Sequence, residues 1–98
     1  MLESMERLSA WTRPLVSDLC RVRTADLKRL HGESRGKYRE AVSRELMRRS
    51  ETGDVFSFMG AAWTVERKTR MGVSGVRKDG ICTLRVENVG ACEIASWA

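Results

Sequence analysis

The chain is 98 residues long, with 42% hydrophobic residues, 32% charged residues and a formal charge of +5. That length allows one modest core and excludes large multidomain enzymes, solenoids and collagen-like chains. The excess charge is unevenly placed: residues 1–50 hold twelve Lys/Arg against seven Asp/Glu, whereas residues 51–98 hold six of each. The expected organisation is one domain over 1–98, with a basic helical half at 1–50 and a β-sheet half at 53–98.

In chain order, Leu2, Met5 and Leu8 recur at helical spacing, with Glu3 placed to pair Arg7. Thr12 offers a cap and Pro14 suits a first helical turn. The apolar stripe Leu15, Leu19 and Val22 follows, with Val16 and Cys20 beside it. Thr24 is placed to cap a short helix carrying Leu27 and Leu30, and Gly32 after His31 reads as its stop. Ser34 opens the clearest helix, over about residues 35–50, with Tyr38, Val42 and Leu46 on one face.

From Gly53 the pattern has period two. Phe56 and Phe58 share one strand face, and Trp63 and Val65 share another. Cys82, Leu84 and Val86 alternate with Thr83, Arg85 and Glu87, the signature of a half-buried strand. Cys92 and Ile94 suggest a last strand ending near Trp97. Turns are expected at Met59-Gly60, Asp79-Gly80 and Asn88-Val89-Gly90. Met71 to Gly80, with three glycines, reads as a mobile loop or an irregular strand. The predicted fold class is α+β: about three N-terminal helices packed on a C-terminal antiparallel meander of three to four strands.

No apolar run approaches the ~20 residues of a membrane span, and the acidic N-terminus does not read as a signal peptide. Cys20, Cys82 and Cys92 have the wrong parity for a disulfide framework, so a cytoplasmic setting is expected. Cys82 and Cys92 fall on apolar strand faces, which suits core filling. The one histidine, His31, is expected to meet the helix dipole or solvent. Neither a nucleophile elbow, a phosphate-loop glycine pattern nor a C-x₂-C pair is present. No catalytic residue, metal site or cofactor is therefore expected.

The basic half carries the strongest functional signal. Helical spacing pairs Asp26 with Arg29, Glu33 with Lys37, Glu40 with Arg44 and Glu45 with Arg49. Arg21, Arg23, Lys28, Arg35, Arg39 and Arg48 are left over, and Arg35 and Arg39 sit one turn apart. A surplus of this kind draws polyanions by counterion release. Arginine outnumbers lysine fourteen to four, which suits phosphate recognition, although GC-rich codon usage produces the same bias. The expected nucleic-acid contacts are Arg21, Arg23, Lys28, Arg35, Lys37, Arg39, Ser43 and Arg48. Arg67, Lys68, Arg70, Arg77 and Lys78 form an alternative patch around the glycine-containing segment.

Thr24, Leu27, Leu30, Gly32, Tyr38, Val42 and Leu46, followed by a hairpin from Val55, give a cap-helix-turn-helix-wing order. This order resembles a winged-helix DNA-binding domain over residues 12–70. The resemblance implies a second helix in the major groove, with Arg35, Lys37, Arg39 and Ser43 nearest bases or phosphates. Gly36 within the turn, and more strands than a wing requires, depart from that pattern. Gly53 to Gly60 with Trp63-Thr64-Val65 is similar to a strand of small β-barrels and of phage head–tail joining proteins. A plain core role accounts for the same aromatics.

The expected function is a small, non-enzymatic module that binds DNA or RNA through its basic half. One alternative is a small phage or mobile-element protein that binds and inhibits a host protein complex through an acidic surface of its target. Another is a structural component of a larger assembly. Trp11 and Trp97 are read as core residues, or else as anchors for a partner or a homodimer seam.

Overall fold

The structure is a computed structural model that describes residues 13–98. The helix expected around Leu2, Met5 and Leu8, and Trp11 with it, lies outside the described residues. A 3₁₀ segment Val16–Arg21 leads into α1 (Thr24–Glu33) and α2 (Gly36–Arg49). Five strands follow: β1 (Val55–Phe58), β2 (Ala61–Thr69), β3 (Gly72–Asp79), β4 (Cys82–Val89) and β5 (Ser96–Trp97). The fold is α+β, with helices first and an antiparallel sheet after them. No helix among the described residues is long and apolar enough to cross a membrane.

Strands β1 to β4 form a meander, but the sheet order is β4-β3-β2-β1-β5. After β4 the chain therefore crosses back to the far edge and lays β5 antiparallel to β1. The crossing includes a 3₁₀ turn, Ala91–Glu93, packed against α2. Met59-Gly60 closes the first hairpin with both residues at positive φ, the conformation a two-residue hairpin loop needs.

One face of the sheet and the helix pair share a single core. Leu27 and Leu30 of α1 and Val42 and Leu46 of α2 meet Phe56, Val65, Val73, Val89, Ile94 and Trp97. The opposite sheet face is charged, with Arg85 near Glu66 and Arg67 near Glu87 at 3.4 and 3.6 Å. That division is the usual solution for an antiparallel sheet covered on one side.

Several expectations need correction. The stripe Leu15–Val22 forms a 3₁₀ turn rather than an α-helix, with Leu15 and Val16 exposed and Leu19 buried. Met71 to Gly80 is not a mobile loop but an irregular strand: β3 pairs on both edges, with a register shift between Val73 and Gly75. Three of its four buried positions hold Gly72, Ser74 and Gly75 beside Val73, small residues that hide a strand from hydrophobic periodicity. Cys92 and Ile94 do not open a strand; they belong to the crossing. The sheet has five strands instead of three to four. All three cysteines are exposed, so Cys82 and Cys92 are not core filler.

Gly75 shows why a small residue is needed. The Phe56 ring lies over it so closely that a Cβ there would sit 2.9 Å from two ring carbons. Phe56 in turn tilts against Trp97, with ring centroids 5.8 Å apart. Trp97 Nε1 donates to Ser43 Oγ of α2 at 3.2 Å, within the core. Trp97 is thus a core residue that ties sheet to helix, not an exposed anchor. Gly75→Ala should cost about 1–3 kcal/mol through overpacking, and Trp97→Ala about 3–5 kcal/mol through a cavity. Urea denaturation midpoints measured for both variants check this.

Candidate nucleic-acid interface

Helix α2 decides where charge can gather. Val42, Ser43 and Leu46 face the core, so the outward stripe is Lys37, Arg44 and Arg48. Ser43 is fully buried and bonded to Trp97, which removes it from the set of exposed contacts. Arg39 is half-buried, and its guanidinium donates to the Ala95 carbonyl of the crossing. The face that the winged-helix resemblance assigns to DNA is, around Arg39 and Ser43, covered by the crossing and β5.

Acids hold part of the remaining charge. Glu45 accepts from both Arg48 and Arg49, and Arg49 also donates to the Leu19 and Cys20 carbonyls at 3.1 and 3.0 Å. Asp26 lies 3.5 Å from Arg23 and from Arg29. Glu40 pairs Arg44 as the spacing predicts, whereas no Glu33–Lys37 pair forms among the described residues. Arg21, Lys28, Arg35 and Lys37 keep side chains without an ion pair there. Arg21 and Lys28 lie toward one end of the helix pair, and Arg35 and Lys37 stand at the other.

The alternative patch does not form as a unit. Arg67 faces Glu87 on the outer sheet surface. Lys68 Nζ donates to the Arg48 carbonyl at the end of α2, at 2.8 Å. Arg77 lies over the Trp63 ring, 5.2 Å from its centroid. Lys78 is exposed near the hairpin tip. Arg70 lines a cleft with Glu40, Arg44 and Met47 of α2.

What the fold does assemble is a groove along α2. One cleft of about 390 Å³ lies between the start of α2 and the crossing, lined by His31, Gly36, Lys37, Arg39 and Ile94 among others. A second of about 350 Å³ continues it past Arg44 to Arg70 and Met71 in the β2–β3 turn. Glu40, Ala91 and Cys92 line both, so the two clefts adjoin. Four cations, Lys37, Arg39, Arg44 and Arg70, thus line the two adjoining clefts. Their acid, Glu40, is held by Arg44.

The upstream end has further features. No side chain caps α2, and its first turn contains no acid. Its leading N–H groups and the positive end of its dipole are therefore open to an anion. Arg35 stands exposed at the N-cap. Arg13 braces the same corner: it donates to the Glu33 carbonyl at 2.9 Å and lies over the Tyr38 ring. Tyr38 donates to the Pro14 carbonyl at 2.6 Å, fixing the chain that precedes the helices.

His31 is buried rather than solvated, at 2% exposure. Burial, aided by the Arg39 charge, holds its pKa below the ordinary 6.5. Sequence periodicity missed it because a histidine before a glycine reads as a helix end, whereas α1 continues through Gly32. Arg44 was hidden by its own pairing with Glu40. Arg70 was visible only within the alternative patch.

The chain matches no family model, no curated protein and no solved structure. Among the described residues no group of His, Cys, Asp and Glu is placed to hold a metal ion.

Two depressed pKa values set the pH dependence of folding. Neutral His31 contributes stability that is complete above its unfolded value of 6.5 and is lost as the pH falls toward the folded value. Glu45, lowered chiefly by its hydrogen bond from Arg48, contributes stability that is lost only below about 4.5. Urea midpoints should therefore decline first between pH 7 and 5 and again in stronger acid. In His31→Leu the first decline should vanish while the second remains.

Proposed function

We propose that the protein is a small, non-enzymatic nucleic-acid-binding module whose ligand lies in the groove between α2, the crossing and the β2–β3 turn. The observation that carries this reading is the lining of that groove: four cations and one already neutralised acid along adjoining clefts. Phosphates spaced along a backbone fit such a channel, and each one neutralised releases condensed counterions. Met71, 74% exposed at the downstream end, offers an apolar surface to a base. The contact residues proposed are Lys37, Arg39, Arg44 and Arg70, flanked by Arg35. Arg21, Arg23, Lys28 and Arg48 lie toward the other end of the helices or are held by acids.

Lys37→Glu and Arg70→Glu, at opposite ends of the groove, should each weaken binding of DNA or RNA oligomers. Each should also flatten the salt dependence by about one unit of slope. Arg21→Glu, away from the groove, should leave both unchanged. Fluorescence anisotropy across a salt series measures all three. Equal losses in all three variants would return the interaction to diffuse charge.

A second reading, docking on an acidic protein surface, is favoured by a different region. Met59 and Ile81, 84% and 104% exposed, cap the two hairpins at one end of the sheet. Half-buried Phe58, Ala61 and Leu84 extend the apolar surface, and Arg77 between them has a buried Nε without an acceptor. A partner carboxylate would meet that guanidinium. Under this reading, Ile81→Ser with Met59→Ser abolishes capture of a stoichiometric protein after nuclease treatment, and oligonucleotide binding is unaffected.

A further inference from the structure

The upstream end of the groove differs from the rest of it. Lys37, Arg39, Arg44 and Arg70 could hold a flexible strand by charge alone, whereas the cleft before α2 also presents oriented neutral donors. The N-terminus of a fourteen-residue helix opens there, without a side-chain cap and with Gly36 and Lys37 on the cleft wall. An independent feature lines the same wall. His31 lines the same cleft, is 2% exposed, and its Nε2 is buried with no hydrogen-bond partner. A buried polar atom left unbonded is costly, so the site gains from a group that supplies an acceptor.

We infer that this cleft is a discrete pocket for one phosphate group, held by the opening N–H groups of α2, by Lys37 and Arg39, and by the His31 imidazole. The inference rests on the nucleic-acid reading, with a backbone or terminal phosphate as the occupant. A neutral imidazole protonated on Nε2 donates one hydrogen bond, and a phosphate oxygen accepts it. The helix end contributes N–H donors already aimed outward, and the two cations supply charge. Arg39 is positioned for this by its bond to the Ala95 carbonyl, which leaves other guanidinium N–H groups for the ligand. Glu40 on the rim is turned to account by Arg44, so it does not stand unpaired against the anion.

Inorganic phosphate titrated into the ¹⁵N-labelled chain, with inorganic sulfate in parallel, tests the pocket directly. Saturable NMR shifts are expected at the Gly36, Lys37 and Tyr38 amides and at the His31 ring, for both anions. His31→Phe, which keeps the ring volume without the nitrogens, should weaken phosphate binding roughly tenfold, the worth of one charge-assisted hydrogen bond. Lys37→Glu should abolish it, and serves as the test if His31→Phe does not fold. Shifts that grow linearly and spread over the exposed arginines, or affinity unchanged in these variants, would overturn the pocket. Oligonucleotide binding measured on the same samples separates the two claims. If it persists while phosphate leaves the cleft untouched, the pocket falls and the nucleic-acid reading stands; if it too is absent, both fall.

Discussion

The structure depends on the return of the chain from β4 to the far edge of the sheet. Without that crossing, β1 would have a bare edge and α2 would lose the hydrogen bond that joins Ser43 to the sheet. The crossing buries Ile94, sets Trp97 against Phe56, and lets the indole N–H reach Ser43 on α2. Phe56 then needs room, which Gly75 supplies by having no side chain. Four residues from four elements are therefore mutually constrained, and tight packing of this kind tolerates little change in volume. The same segment forms one wall of the groove, because Ala91 and Cys92 face α2 across it.

Charge on this protein is sorted by that architecture. Arg49 is spent on joining the end of α2 to the 3₁₀ segment through two carbonyls and Glu45. Arg39 is half-spent on the crossing, and Lys68 closes the end of α2. Exposed pairs such as Arg23–Asp26 are worth little to stability, about 0–1 kcal/mol, and remain exchangeable for a ligand. Lys37, Arg39, Arg44 and Arg70 line two adjoining clefts, while Lys28 and Arg49 line a third at the other end of the helices. A net charge of +5 alone would not have located them.

Much of the architecture was legible from the residues. Phe56, Trp63 and Val65 announce β1 and β2 by alternation, and Leu84 and Val86 announce β4. Tyr38, Val42 and Leu46 mark α2 almost to its ends. β3 was legible only as a loop or an irregular strand because Gly72, Ser74 and Gly75 are buried for their smallness, which a hydrophobicity pattern cannot register. β5 was legible as a last strand ending near Trp97, but not its start, because two residues carry no period. Ser43 was misplaced on the outer face, although it sits one turn before Leu46 and two before Ser50, both buried. The site was less legible than the fold. Lys37 and Arg39 line one cleft, but its adjoining the cleft of Arg44 and Arg70 depends on the crossing, which no local pattern encodes. His31 needed the knowledge that Gly32 lies inside α1 rather than beyond it.

The central claim is that ligand phosphates follow a single channel from the start of α2 to the β2–β3 turn. Mapping the backbone amide shifts of the labelled chain against a short DNA or RNA strand at low salt examines this most directly. The account predicts a continuous trail from Gly36 along Arg44 and Cys92 to Arg70 and Met71, with the Met59 and Ile81 hairpin tips silent. Perturbations confined to those tips, or strewn evenly over every exposed arginine, would contradict it.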